Sequence, residues 1–173
     1  MSPTQPAAVP TTRMTVDEYW EFVNRPENAD RLFELRQGRV IEMPRPKKPH
    51  GIICAQITSL LSRYAEGRGI GYVECNDTGV ILQEVPETVV GPDVAYFTDI
   101  TTFDEVAPKW SETPPILAVE VLSPTDRPSK VSEKVQDYLS GGVRVVWVVD
   151  YEERSVTVYR HDRTHAVLKE PAL

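Results

Sequence analysis

A strand–helix–strand pattern between Ile116 and Asp150 constrains the fold more than any other part of this sequence. Ile116–Leu122 is almost continuously apolar, as expected of a strand that is covered on both faces. Pro128–Leu139 then places apolar side chains on one helical face, and Val143–Val149 is a second apolar strand. Because such a unit joins parallel strands through a crossover helix, we predict that the two strands are parallel neighbours.

The rest of the chain predicts further helices and strands around this unit. Thr15–Glu18 is a capping box, which predicts a helix to about Asn24. Arg31–Met43, with Gln37-Gly38 in the middle, is typical of a hairpin, and His50–Glu66 has helical spacing with Gly67 as its stop. Further strands are predicted at Gly71–Cys75, Thr78–Gln83, Asp93–Thr98, Ser155–Arg160 and His165–Leu168, the last two as antiparallel edge strands. The predicted fold class is α/β, a mixed sheet with flanking helices and an N-terminal helix plus hairpin.

Composition predicts one domain in a cytoplasmic protein. The 173 residues are 40% hydrophobic and 26% charged, with neither an apolar run of roughly 18 residues nor a signal peptide. Residues 1–12, rich in Pro and Thr, are predicted to be a disordered tail before a domain at 13–173. Cys54 and Cys75 are expected to be reduced thiols. The net charge of −7 counts against passive nucleic-acid binding, although bound divalent cations would change the local charge.

Glu120 is an acidic residue inside the most apolar strand, on the predicted side of Ile116, Ala118 and Leu122. An ionised carboxylate buried there alone would cost several kcal/mol, so it needs a cation or several hydrogen-bond donors. A metal ion would satisfy this need. A structural ion pair with Arg144 or Lys134 would do so equally well.

Asp93 and Lys134 are the other candidates from the residues themselves. Asp93 follows Pro92, where ordinary turn chemistry also explains it, but two strand-borne acids that converge would suit a hard cation such as Mg²⁺. Lys134 lies one turn after Lys130 on the predicted helix. It is either solvated surface or a group that orients a water and stabilises an oxyanion.

Several of these residues occur together in an order that resembles the Uma-two family of restriction-endonuclease-like proteins. The resemblance extends from Met14 to about Tyr159. It is carried by Phe33-Glu34-Leu35 before Gly38, His50, Pro92-Asp93-Val94, Val119 to Asp126, Lys134, Tyr138, Gly142-Val143 and Val146 to Asp150.

The resemblance implies a PD-(D/E)XK nuclease core with Asp93 and Glu120 as its two acids. Leu122 stands where the usual motif has a lysine, and Lys134 matches the position on the following helix to which that lysine migrates. Gln37 replaces an Asp that relatives usually have before the glycine.

The resemblance also implies a metal site and a mechanism. Asp93, Glu120 and the Val121 carbonyl would bind Mg²⁺ or Mn²⁺, with Glu34 bound directly or through a water, and Lys134 would hold the attacking water in line. His50 would contact a phosphate or shuttle a proton, unless it is only a helix-capping surface residue. The basic loop at 45–50 would meet a nucleic-acid backbone or would be only a solvated loop.

The function expected from the whole sequence is metal-dependent endonuclease activity on DNA in the bacterial cytoplasm, with a homodimer as a plausible assembly. The alternative is a catalytically inactive nuclease-fold module for DNA binding or protein interaction. Other chemistries have little support: Gly67–Gly71 follows a helix rather than a strand, there is no Gly-x-Ser-x-Gly elbow, and no Cys–His pairing stands out. Tyr138 and Trp147 are expected to be packing residues.

Overall fold

The structure is a computed structural model that describes residues 8–84, 86–99, 102–106 and 108–169, with only the backbone of Glu84. Residues 1–7 of the predicted tail lie outside the described residues. Residues 8–12 of that tail form neither helix nor strand, but Val9 packs against a hydrophobic cluster of the domain. No helix in the described ranges combines the length and the apolar character that a bilayer crossing requires.

The three α-helices of the described residues agree with the predicted ones, except that both ends of the second helix lie further out than predicted. They are α1 (Val16–Val23), α2 (Lys48–Arg68) and α3 (Pro128–Ser140). The capping box of α1 is present, as predicted. The predicted start and stop of α2 were wrong. Pro49 lies in the first turn, where its missing N–H costs no hydrogen bond, and the helix ends at Gly69, whose φ of 63° is left-handed.

The described residues form ten strands in two sheets, where the sequence predicted a single mixed one. The strands are β1 (Leu32–Arg36), β2 (Arg39–Met43), β3 (Tyr72–Cys75), β4 (Val80–Glu84), β5 (Glu87–Val90), β6 (Val94–Phe97), β7 (Leu117–Val121), β8 (Val145–Asp150), β9 (Ser155–Arg160) and β10 (His165–Lys169). The large sheet has the order β10-β9-β8-β7-β6-β3 and is mixed; the small sheet has the order β2-β1-β5-β4 and is antiparallel. Of the two predicted edge strands, β10 is at the edge, and β9 pairs on both sides.

The predicted strand–helix–strand unit is confirmed. Strands β7 and β8 are parallel, with Glu120 opposite Val148, and α3 connects them. Glu120 therefore lies near the carboxyl end of β7, where the chain leaves the sheet and continues into α3. Ile116, expected on the same side as Glu120, precedes the strand and packs with the α2 side of the sheet.

Three hydrophobic clusters hold the two sheets and the helices together. One lies between α2 and one face of the large sheet. A second joins the other face of that sheet to α3 and to β4 and β5 of the small sheet. The third packs α1 against β1, β2 and β5. The small sheet is thus attached to the large one through the second cluster, which leaves a cleft between the β1–β2 hairpin and α3.

The chain passes between the sheets at two adjacent places. It leaves β3 through Asn76 and Asp77, whose φ angles are 72° and 55°, and returns from β5 through Gly91 to Asp93. A Cβ on Gly91 would lie 2.5 Å from the Asp77 carbonyl oxygen, so the close approach of the two crossings requires glycine there.

Candidate metal centre and active site

One cleft of about 920 Å³ brings together every residue that the sequence singled out for the site. The side chains come from both sheets and two helices: Glu34 from β1, His50 from α2, Asp93 from the crossing before β6, Glu120 and Val121 from β7 and Lys134 from α3. The β1–β2 hairpin forms one wall of this cleft. The convergence follows from the topology, since α3 begins beyond the carboxyl end of β7 and runs back along the face of the sheet that carries Glu120.

Lys134 lies between two buried carboxylates. Its Nζ is 2.8 Å from Glu34 Oε1 and 2.9 Å from Glu120 Oε2, and it donates to the Gly91 carbonyl at 3.3 Å. Its side chain is 13% exposed, so the solvated-surface interpretation was wrong. Of the two ion-pair partners considered for Glu120, the structure places Lys134 in contact. The other Glu120 oxygen accepts a hydrogen bond from the Tyr138 hydroxyl at 2.5 Å.

Burial and neighbouring carboxylates shift the pKa values of Glu120, Lys134 and Tyr138. Burial raises the pKa of Glu120 to about 8, with Asp93 and Glu34 acting in the same direction and Lys134 opposing them. For Lys134, burial lowers the pKa, but the two carboxylates outweigh it and raise the pKa above its usual value. Burial and Glu120 also raise the pKa of Tyr138 well above the ordinary range. Lys134 therefore stays protonated. Its single positive charge does not balance all three neighbouring acids, Glu34, Asp93 and Glu120.

Asp93 connects the second helix to β7. Its Oδ1 is 3.1 Å from His50 Nε2, and its Oδ2 accepts the Val121 N–H at 2.6 Å. The contact with Asp93 is the main reason that the pKa of His50 is raised. His50 is buried, with only 8% of its surface exposed, so the alternative of a surface helix-capping residue was wrong.

Three further polar residues of the site were missed from the sequence. Cys54 Sγ is 3.4 Å from His50 Nδ1, a Cys–His contact that did not stand out in the sequence; their i,i+4 spacing on a helix was the available signal. Asp77 lines the cleft, and its pKa is raised by burial and by Asp93. Tyr138 packs in the core as predicted, and its hydroxyl also donates a hydrogen bond to Glu120.

The donor groups offer two kinds of metal ligation. The carboxylates of Glu34, Asp93 and Glu120 are hard oxygen donors, of the type that Mg²⁺ and Mn²⁺ prefer. Beside them, one donor atom each from His50, Cys54 and Asp93 lies within 4.8 Å of the others, a mixed set that suits borderline metals. Burial raises the pKa of Cys54 to about 12, so without a metal this residue is a neutral thiol.

These features define a protein of the restriction-endonuclease-like fold, with an acidic site at the end of its central parallel strands. The sequence profile described as "Putative restriction endonuclease" (Uma2) matches residues 16–172, and the chain belongs to this family. The family supports a nuclease role.

A solved structure with the same fold is a "putative nuclease belonging to DUF820" from Anabaena variabilis. It is 22% identical with a TM-score of 0.74, and the match covers 91% of this chain and 86% of the other. No curated protein shows significant similarity to the chain.

Proposed function

We propose that this protein is an endonuclease that uses Mg²⁺ or Mn²⁺ to hydrolyse phosphodiester bonds of DNA in the bacterial cytoplasm. The observation that carries the proposal is the convergence of Glu34, Asp93, Glu120 and Lys134 in one cleft from separate parts of the chain. Grouping three acids and a lysine at a cleft costs stability unless they bind a charged ligand. Membership of a nuclease family supports the same conclusion.

The residues fit a divalent cation. Asp93, Glu120 and the Val121 carbonyl would hold it, with Glu34 directly or through a water. The raised pKa of Glu120 supports this assignment, because it reflects a buried carboxyl group for which Lys134 alone is insufficient compensation. When bound, the cation would supply an acidified water and positive charge beside the phosphate.

Lys134 would act as a donor and not as a base. The two carboxylates keep its ammonium group protonated and hold it at 2.8 and 2.9 Å. From this position it would orient the attacking water and stabilise negative charge on the phosphate oxygens. The hydrogen bond from Lys134 Nζ to the Gly91 carbonyl also fixes the ammonium group relative to the segment that carries Asp93.

His50 would interact with the phosphate or move a proton near Asp93. Its Nε2 is 3.1 Å from Asp93 Oδ1, and this contact raises its pKa, so more of it carries a proton at neutral pH than for a free histidine. A protonated imidazole next to a metal ligand can donate to a phosphate oxygen.

The rim of the cleft supports a polyanionic substrate despite the net charge of −7. Arg39, Arg45 and Lys47 are exposed and line the cleft around the acidic floor. Basic side chains in this arrangement would bind backbone phosphates on either side of the scissile bond.

One observation favours the alternative of a non-catalytic module. Both oxygens of Glu120 already have partners within the chain, and Lys134 is shared among Glu34, Glu120 and Gly91. Such a self-satisfied network is also what a structural ion cluster would look like.

The decisive experiment is calorimetric titration with Mn²⁺ of the wild type, Asp93→Ala and Glu120→Ala, followed by plasmid cleavage with the same three proteins. We expect the wild type to bind Mn²⁺ and to cut, and both variants to lose binding and cleavage. If the wild type binds no Mn²⁺ even with DNA present, the proposal fails and the non-catalytic module is favoured.

A further inference from the structure

The side chains that the β1–β2 hairpin presents to the cleft change in character along the hairpin. Residues paired across an antiparallel hairpin point to the same face. The pairs on the cleft face are Leu32 with Met43, Glu34 with Ile41, and Arg36 with Arg39. Phe33, Leu35 and Val40 point to the opposite face, where they pack in the third cluster under α1, and Phe33 and Val40 also border the cleft. The cleft face is therefore apolar at one end, acidic in the middle and basic at the turn.

The apolar end lies next to the reacting centre and is open to solvent. Ile41 is the cross-strand partner of Glu34, whose carboxylate contacts Lys134 at 2.8 Å. Ile41 is 40% exposed and Leu32 is 37% exposed. Leu122 and Val131 add apolar surface to the same cleft. An exposed apolar patch in a cleft is typical of a surface that binds a ligand.

The basic end would hold a phosphate. Arg36 is occupied by Asp137, with 2.6 Å between the guanidinium and the carboxylate. Arg39 is exposed and has neither an ion pair nor a side-chain hydrogen bond to any residue in the described ranges. Along the hairpin there follow an apolar surface at Leu32 and Met43, the proposed metal centre next to Glu34, and the cation of Arg39, unpaired among the described residues.

We infer that the cleft takes an unpaired strand of DNA, with a base of that strand packed against Leu32, Ile41 and Met43. The inference rests on the proposed function and specifies its substrate class. In a duplex the faces of the bases are covered by stacking, so only polar edges, sugars and phosphates would reach this patch. An unpaired nucleotide exposes a base face, which apolar side chains can cover.

The size of the cleft agrees with a single strand. Its volume of about 920 Å³ lies within the range of clefts that take small ligands, about 300–1,000 Å³.

The inference can be tested by fluorescence anisotropy with a labelled oligonucleotide, presented as a single strand and as a blunt duplex of the same sequence. EDTA in the buffer prevents cleavage. We expect the single strand to bind the wild type at least about tenfold more tightly than the duplex. We expect Ile41→Ser to weaken single-strand binding by about tenfold and to leave duplex binding unchanged.

Two further variants make the result specific. Ile52→Ser is the matched control, because Ile52 is 48% exposed on α2 and does not line the cleft; it should leave both affinities unchanged. Ile41→Thr keeps the β-branched shape that suits a strand and loses apolar surface, so it replaces Ile41→Ser if that variant does not fold. Equal or tighter duplex binding, or an Ile41 variant that behaves like Ile52→Ser, would overturn the inference.

Failure of this inference is distinguishable from failure of the proposed function. If the wild type binds Mn²⁺ and cuts duplex DNA but does not prefer the single strand, only the substrate class is wrong. If it binds no Mn²⁺, the proposed activity itself is wrong, whichever form of DNA it binds.

Discussion

The ammonium group of Lys134 lies between two buried carboxylates, and its removal would leave both without their cation. We expect Lys134→Met to lower the free energy of unfolding by about 3–5 kcal/mol in metal-free buffer. Urea denaturation measures this change. Added Mn²⁺ should recover part of the loss, because a bound cation stabilises the folded state and replaces the missing charge.

Lys130→Met is the matched control on the same helix. Lys130 pairs with Glu133 at 2.7 Å, but both side chains are more than half exposed, so its loss should change the free energy of unfolding very little. A Lys134→Met variant as stable as Lys130→Met would show that the carboxyl groups next to Lys134 do not depend on its charge, contrary to the geometry of the site.

Glu120 makes stability depend on pH in a defined direction. Its pKa is about 8 in the folded protein against an ordinary value of 4.5, so between these values the folded chain holds a proton that the unfolded chain has lost. The resulting stabilisation is full below pH 4.5 and is lost as the pH rises through about 8. Without metal, the free energy of unfolding should therefore fall more steeply with pH in the wild type than in Glu120→Gln.

Denaturation curves at about pH 5 and about pH 8.5 measure this difference. Parallel pH profiles for the two proteins would contradict the prediction, since they would mean that Glu120 is ionised in the folded protein over the whole interval. Lys134 would then fully compensate its charge.

The sequence identified the acids of the site more readily than their neighbours. Glu120 stood out because an acid is expensive inside an apolar strand. Asp93 and Lys134 were candidates that the family resemblance supported, and Glu34 and His50 came from the resemblance alone. Cys54 and Asp77 gave little signal, because a cysteine on an amphipathic helix and an Asp in a turn are common without any functional role. What brings them to the cleft is the packing of α2 and the path of the chain between the sheets.

At the scale of elements, the Arg36–Asp137 ion pair connects the small sheet to α3, as the Glu34–Lys134 contact also does. Both Arg36 Nε and one terminal nitrogen donate to Asp137 Oδ2, at 3.0 and 2.6 Å. Arg36 is two residues after Glu34 on β1, and Asp137 is one turn after Lys134 on α3. This pair therefore holds together the two elements that bring Glu34 to Lys134.

We expect Asp137→Asn to lower the free energy of unfolding by about 1.5–3 kcal/mol, the range for a hydrogen bond to a charged group. The loosened hairpin should also weaken Mn²⁺ binding, measured by calorimetry, although Asp137 is not a proposed ligand. Gln136→Ala, an exposed change on the same helix outside the cleft lining, is the control. If Asp137→Asn lowers stability but leaves the Mn²⁺ affinity unchanged, the ion pair does not position Glu34.

The sequence predicted most elements because their patterns are local. The capping box, the hairpin turn and the strand–helix–strand unit depend on neighbours along the chain, and all three are confirmed. Strand β5 was missed because its four residues lie between Pro86 and Gly91, which are residues typical of loops. Without β5, the division into two sheets was not visible, since pairing of β1 with β5 depends on contacts distant in sequence.

At the scale of the whole molecule, local charge should matter more to substrate binding than the net charge of −7. We expect Arg39→Ala and Lys47→Ala each to weaken DNA binding and to reduce the slope of log affinity against log salt by about one. Anisotropy titrations at several salt concentrations measure the slope. Arg160→Ala, an exposed change on β9 away from the cleft, should leave it unchanged. A slope equal to the wild-type value in both cleft variants would exclude this rim as the phosphate-binding surface.

The division of the site between two sheets has a consequence for how activity would be lost on heating. Glu34 belongs to the small sheet, whereas Glu120 belongs to the large one, and Asp93 stands at a crossing between them. Partial separation of the hairpin from α3 would break the Glu34–Lys134 contact while most of both sheets stayed folded. The proposed activity would then be lost at a lower temperature than the secondary structure, and its loss would report the separation of the β1–β2 hairpin from α3.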